Sequence, residues 1–187
     1  KLRGACCAAL LIFLGPMRAQ GQQLLVNQLP AGLRPTGIDV QSSSSESAVA
    51  VVANSGENSL STFRLRLDTQ TDIERVSPGP AIHGIASPYG VAICPDPSRA
   101  LVTSPSNNSV SVVQLPEGPV LGSVRVGSQP YSVACFQDTT VPGSPLRGVV
   151  SNSADSTLSL IDVSSRVVLA TVPNVPGSRG WRGVSVY

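Results

Sequence analysis

The sequence predicts an all-β fold made of repeated four-stranded antiparallel sheets, and three observations lead to this prediction. The segment PYGVAI at 88–93 returns as PYSVAC at 130–135, a spacing of 42 residues (130 − 88). Weaker copies are PTGIDV at 35–40 and WRGVSV at 181–186. Turn-forming residues are frequent, with 17 Gly and 16 Pro, as expected where many short strands are joined by turns. Self-similarity at a period of about 40–50 residues indicates stacked supersecondary units.

The clearest unit lies between residues 88 and 127 and contains four short apolar segments separated by turn residues. Its predicted strands are residues 90–94, 100–103, 109–113 and 120–126. The next unit predicts strands at residues 131–135, 146–151, 157–163 and 167–172. Four strands joined by short turns form an antiparallel meander, which cannot bury both of its faces alone. Stacking such sheets around an axis buries them, so we predict a β-propeller, or an open propeller fragment, of four-stranded antiparallel blades.

The first 19 residues have the pattern of a secretory signal peptide. Lys1 and Arg3 precede an apolar run from Ala5 to Leu14, and a small residue, Ala19, comes directly before Gln20. That run is shorter than the about 20 residues needed to cross a bilayer, and a buried N-terminal helix is the alternative interpretation. We therefore expect a secreted, periplasmic or cell-surface protein with no transmembrane segment after signal cleavage.

The predicted organisation after the signal peptide is a short N-terminal segment followed by repeats. Residues 20–32 include a possible closing strand, and the repeats are expected at 33–87, 88–127, 128–177 and, in part, 178–187. Propellers have about 4–8 blades. We therefore expect further blades to come from the same longer chain or from another copy.

Three segments carry a resemblance to a known family: PYGVA at 88–92, TLSLID at 157–162 and VLATV at 168–172. They resemble the YVTN-type β-propeller repeat of bacteria and archaea, over about residues 33–187. The tyrosine of the family name is replaced here by Leu101 or Val149. The resemblance implies a secreted or surface-exposed propeller, and it implies no single activity.

Two cysteines, Cys94 and Cys135, follow the predicted signal peptide. In the repeat alignment Cys135 matches Ile93, so Cys94 matches Phe136. Successive strand residues point to opposite faces of a sheet. We therefore predict that the two thiols face different ways and are small buried apolar residues. A disulfide, which an oxidising compartment would permit, is the less favoured alternative.

The sequence offers no set of residues typical of catalysis or metal binding. His83 is the single histidine, whereas a zinc site needs several His or Cys at short spacing. No glycine-rich phosphate loop or calcium loop motif occurs. The net charge is +2 without a basic stripe, which argues against a nucleic-acid partner. We expect no catalytic residues, no metal and no cofactor in this chain.

The candidate ligand-binding residues are those in the loops that lead into the innermost strands, at one mouth of the propeller channel. They are Arg34, Tyr89, Tyr131, Trp181 and Arg182. Aromatic and arginine side chains are enriched at recognition sites. The two tyrosines also occupy equivalent repeat positions, which favours a packing role between blades. Recognition is the alternative interpretation.

The function predicted from these observations is that of an exported, non-catalytic repeat module. It would act as a binding or cell-surface scaffold for an unknown protein or small-molecule ligand. The alternative is a fragment of a propeller enzyme, lactonase-like or quinoprotein dehydrogenase-like, with its catalytic residues mostly in other blades. Additional repeats with His, Glu or Asp clustered toward the channel would favour the enzyme.

Overall fold

The computed structural model describes residues 31–68, 72–173 and 183–184, without the side chains of residues 67–68 and 72–75. The predicted signal peptide, residues 20–30 and the candidate site residues Trp181 and Arg182 lie outside the described residues. Within the described part of the chain, no helix has the length and apolarity to span a bilayer.

Three antiparallel sheets follow one another along the described residues, and each is a meander in sequence order. The first blade contains β1 (Pro35–Ser44), β2 (Ser47–Asn54), β3 (Ser59–Asp68), β4 (Asp72–Pro78) and β5 (Ile82–His83). The second contains β6 (Val91–Ile93), β7 (Arg99–Ser104), β8 (Ser109–Gln114) and β9 (Val120–Arg125). The third contains β10 (Pro130–Gln137), β11 (Leu146–Asn152), β12 (Thr157–Asp162) and β13 (Val167–Val172). Because β4 and β5 both pair with β3, they form one interrupted outer strand. This arrangement confirms the predicted fold class.

Individual residues at equivalent positions of the repeat also share the same backbone conformation. Asn58, Asn108 and Ser156 occupy the same position of the turn between the second and third strands of their blades, with φ values of 54°, 51° and 55°. This left-handed region is unfavourable for most L-residues and tolerated best by Asn among them. Asn58 and Asn108 also accept a hydrogen bond from the loop that leads into the next blade, at the N–H groups of Ser87 (2.7 Å) and Gln129 (3.0 Å). The turn therefore links each of these two blades to its successor.

Apolar side chains on both faces of the sheets hold neighbouring blades together. We call the face toward the preceding blade the leading face and the face toward the following blade the trailing face. The trailing face of the first blade and the leading face of the second form one buried cluster, which includes Val51, Leu60, Ile93, Val102 and Val113. The trailing face of the second blade and the leading face of the third form another, which includes Leu101, Val110, Val112, Val150 and Ile161.

The prediction of free cysteines was wrong, because Cys94 and Cys135 form a disulfide with a Cα–Cα distance of 4.9 Å. The alignment that led to the prediction was sound: Ile93 and Cys135 both lie on leading faces, and Cys94 lies on a trailing face. The error was to assume that side chains on opposite faces of neighbouring blades point away from each other. In stacked sheets, the trailing face of one blade meets the leading face of the next, so side chains that face opposite ways in neighbouring blades point toward each other.

Replacing both Cys94 and Cys135 by alanine is expected to lower the free energy of unfolding by about 4 kcal/mol. The disulfide closes a loop with a sequence separation of 41 residues, and cross-links of that span stabilise mainly by restricting the unfolded chain. Urea unfolding of wild type and double variant, each with and without a reducing agent, measures the effect. The gap should shrink when the disulfide of the wild type is reduced, and equal stabilities of wild type and variant under oxidising conditions would contradict this expectation.

Candidate functional site at the hub

The innermost strands of neighbouring blades meet at their first residues, which we call the hub. Between the first two blades, the hydroxyl of Thr36 lies 3.0 Å from the carbonyl oxygen of Pro88 and 3.1 Å from that of Tyr89, so its one O–H can donate to either of them. Gly37 packs directly on the same carbonyl, and a Cβ there would collide with the Tyr89 oxygen. A glycine at this position of the repeat therefore permits close approach of two backbones.

A similar contact joins the second and third blades. The Thr103 hydroxyl accepts a hydrogen bond from the N–H of Gly90 at 2.7 Å and donates one to the carbonyl oxygen of Tyr131 at 3.1 Å. Gly90 leaves no room for a Cβ beside that carbonyl, as Gly37 does one blade earlier. The glycines thus let the hub backbones approach each other, and the threonine hydroxyls form hydrogen bonds with backbone groups that would otherwise stay unpaired at the sheet edges.

The two predicted site tyrosines are brought together at the hub. The ring centroids of Tyr89 and Tyr131 are 4.7 Å apart with an interplanar angle of 82°, an edge-to-face arrangement. Such pairs contribute about 0.5–1.5 kcal/mol beyond the area that they bury. Tyr131 is half-buried, whereas Tyr89 is 39% exposed. The pair therefore packs across the blade boundary while it presents one ring to solvent.

Arg34 lies in the corresponding loop of the first blade and is exposed. Its backbone is left-handed (φ 53°), and its carbonyl accepts the backbone N–H of Ser55 at 3.0 Å. Its side chain lies over the turn at Gly56, since a Cβ on that glycine would be 3.2 Å from the Arg34 Cγ. The structure thus places this side chain against its own blade. Trp181 and Arg182, the remaining candidates, are not among the described residues.

Sequence reasoning missed Asp39, which links the first and second blades beside the hub. Its carboxylate accepts the N–H of Ile93 at 2.7 Å and the N–H of Val40 at 2.9 Å. Burial raises the pKa of the Asp39 carboxyl above its usual range, and these two N–H groups oppose the rise. The signal was present in the repeat, because Asp39 aligns with Ala92 and Ala134. A charged residue at a position where the second and third blades carry alanine indicates a specific partner.

Charged side chains at the ends of the strands make contacts away from the hub. Arg64 of the first blade pairs with Glu117 of the second at 2.6 Å, with both side chains about half-exposed. Arg147 pairs with Asp162 within the third blade. The backbone N–H of Ser165, together with Arg147, holds the pKa of Asp162 below its usual range. Across residues 31–68, 72–173 and 183–184, no three His, Cys, Asp or Glu side chains group as ligands for a metal ion.

Comparison with known proteins identifies the fold and no family. No protein-family model and no curated protein matches the sequence. Among solved structures, hydrazine synthase of Kuenenia stuttgartiensis is similar at a TM-score of 0.60 and 17% identity, over 86% of this chain and 41% of that one. A structure titled dihydro-heme d1 dehydrogenase NirN in complex with DHE is similar at 0.51 and 18%, over 70% and 27%. BBS1N in complex with ARL6DN is similar at 0.55 and 17%, over 82% and 46%.

The fold is that of a β-propeller. All three comparisons are with proteins of this architecture, and their low identities support the architecture alone. The chain spans less than half the length of each matched structure. The resemblance to the YVTN-type repeat stays a prediction, since the comparisons do not test it.

Replacing Thr103 by valine is expected to cost about 1–3 kcal/mol of unfolding free energy. The change keeps the shape of a fully buried side chain but removes the acceptor of the Gly90 N–H, and an unsatisfied buried donor is costly. Thr171→Val on the exposed strand β13 is the control and should stay within about 0.5 kcal/mol of wild type. Urea unfolding measures both, and equal effects would contradict the role of Thr103 at the hub.

Asp39→Asn is expected to remove one component of the pH dependence of stability. Because the pKa of Asp39 is raised in the folded state, the folded protein binds this proton more tightly than the unfolded chain does. The contribution of Asp39 to stability therefore falls as the pH rises through the raised pKa. Relative to the variant, wild type should gain stability as the pH is lowered from neutral toward 3.8, the ordinary value. Urea unfolding at a series of pH values tests this, and a loss over the same interval would refute it.

Proposed function

We propose that the chain is an exported, non-catalytic propeller module that binds a protein or a small molecule at the hub, around Tyr89. The observation that carries the proposal is the Tyr89–Tyr131 pair, in which one ring holds the other at the surface. Aromatic side chains bury large areas on binding and lose little conformational entropy, since they have two rotatable bonds. A ring already fixed by its neighbour loses still less.

The backbone around the tyrosine pair supports a preorganised surface. Thr36 and Thr103 hold the carbonyl groups of the two tyrosines through hydrogen bonds from neighbouring strands. Rigid positioning of this kind lowers the entropic cost of binding. In the solved structure of BBS1N, a protein with this architecture is bound to ARL6DN. A protein ligand at the hub would be a comparable use of the fold.

Export is supported by the disulfide between Cys94 and Cys135. Structural disulfides form and persist in oxidising compartments outside the cytosol. Together with the signal-peptide pattern of residues 1–19, the cross-link favours a secreted, periplasmic or cell-surface location. Such a location agrees with the YVTN-type resemblance, which remains part of the proposal.

The alternative is that the chain is a fragment of a propeller enzyme, and it leads to a different expectation. Hydrazine synthase and the NirN dehydrogenase are enzymes by name, and at 17% and 18% identity they share the fold with this chain. An enzyme would need clustered acid, base or metal-binding side chains toward the channel in further blades. Their discovery in a longer form of the protein would favour this alternative over the scaffold.

Tyr89→Ser is expected to weaken ligand binding by about tenfold or more, the loss typical of a buried aromatic anchor. Because the natural ligand is unidentified, the probe is a set of peptides selected from a phage-displayed library on the purified wild-type chain. Affinities for wild type and variants are then measured by biolayer interferometry.

Val141→Ser is the matched control, since Val141 is 38% exposed, like Tyr89, but lies in the loop between β10 and β11. The proposal predicts that most selected peptides lose affinity for the Tyr89 variant and keep it for the control. Peptides that bind both variants as well as wild type would show that the hub is not the recognition surface.

A further inference from the structure

Equivalent positions on the trailing faces of the second and third blades differ in exposure. On the trailing face of the second blade, Val124 is 3% exposed because the third blade covers it. Its equivalent in the third blade, Val172, is 51% exposed. Val110 of the second blade is fully buried, whereas its equivalent Leu158 is partly exposed. The third blade therefore carries an apolar trailing face that lacks the cover its counterpart has.

The exposure is concentrated away from the hub. Near the hub, Ala134 and Ser151 lie on the trailing face of the third blade and are buried. Farther out, the side chains of Val149, Leu158 and Leu160 are half-buried, and those of strand β13 are exposed. Contiguous exposed apolar surface of this kind marks an interaction site more often than a free surface.

A hydrogen bond at the hub indicates what belongs on this face. The backbone N–H of Val184 donates to the hydroxyl of Ser132 at 3.2 Å. Ser132 is the equivalent of Gly90, which contacts the hub residues of the next blade. In the repeat alignment Val184 corresponds to Val91 and Val133, which both follow the hub contact on leading faces. Val184 thus contacts the third blade where a fourth blade would begin.

The leading face of the first blade is not a suitable partner for the exposed face. A second copy could close a ring only by placing its first blade against the third blade of its neighbour. However, the leading-face residues Ala50, Val52, Phe63 and Leu65 of the first blade are already buried within the chain. The leading faces of the second and third blades are occupied by the blades that precede them.

We propose that the trailing face of the third blade is the docking surface of a fourth four-stranded blade, which begins at Gly183–Val184 and packs through its own leading face. Its contacts would repeat the established blade boundaries: β-branched side chains over Val149, Leu158, Leu160 and Val172, with the hub hydrogen bond at Ser132. The proposal is independent of ligand binding at Tyr89, because that pair lies at the boundary between the second and third blades.

The test is an extended chain in which Val184 is followed by a copy of residues 134–173, with the copied Cys135→Ser. This supplies a fourth blade in the register that the repeat alignment gives. Compared with the original chain, the extended chain should exchange the amide hydrogens of β12 and β13 more slowly, because the added blade covers the face on which those strands lie. It should also unfold at a temperature higher by roughly 5 °C or more and remain a monomer by light scattering.

Two valines of β13 provide the matched controls. Val172→Asp alters the trailing face, whereas Val168→Asp alters a valine of the same strand that pairs with Ile161 on the opposite face and is 38% exposed. In the extended chain, Val172→Asp should abolish the gain in unfolding temperature and Val168→Asp should leave most of it. Equal effects of the two variants would overturn the proposal.

Two further outcomes would also overturn it. The first is an original chain that is a dimer and becomes a monomer on Val172→Asp, because the face would then belong to a second copy. The second is that no added blade folds onto the face. A second extended chain, with residues 92–126 after Val184, distinguishes an unsuitable choice of copied blade from an unsuitable face. Failure of both extended chains to fold, or to slow amide exchange in β12 and β13, would count against a fourth blade on this face.

Discussion

The contact between the trailing face of one blade and the leading face of the next is the constraint on which the rest of the structure depends. Each sheet of this chain carries apolar side chains on both faces. The second strands of the first two blades, β2 and β7, are buried almost throughout. Leaving either face exposed to water would cost about 25 cal/mol of folding free energy for each Å² of apolar surface. The sheets therefore stack, and each blade becomes the cover of its neighbours.

Stacking also explains why covalent and polar links between blades occur where they do. The disulfide lies within the buried cluster between the second and third blades, where Cys94 and Cys135 face each other. At the hub, where backbones of different blades approach too closely for side chains, glycines and threonine hydroxyls replace apolar packing. Apolar burial thus determines which faces meet, and the specific links fix the relative position of the blades.

Much of the fold could be predicted from the sequence, since repeated patterns with turn residues at fixed offsets leave few alternatives. Strand β13 lies at the predicted residues 167–172, and β12 ends one residue before the predicted strand does. The disulfide could not be predicted by treating each strand alone. Alternation gives the face on which a side chain lies, but only the stacking order tells which face of the neighbour it meets. The same limit applied to Asp39, whose partner Ile93 belongs to the next blade.

The closeness of the two candidate tyrosines could be predicted from the sequence, whereas the geometry of their contact could not. Repeat equivalence placed Tyr89 and Tyr131 at the start of neighbouring innermost strands, but their edge-to-face contact depends on the distance between blades, which sequence spacing does not give. Arg34 occupies the corresponding loop of the first blade, and its side chain lies over the turn at Gly56 of that blade.

The most direct test of the stacking account is a map of the disulfide in the purified protein. The unreduced chain is denatured, treated with an alkylating reagent and digested, and the peptides are identified by mass spectrometry. The account predicts one cross-linked pair of peptides that contains Cys94 and Cys135, because the trailing face of the second blade meets the leading face of the third. Recovery of both cysteines as alkylated free thiols, from protein purified under oxidising conditions, would contradict it.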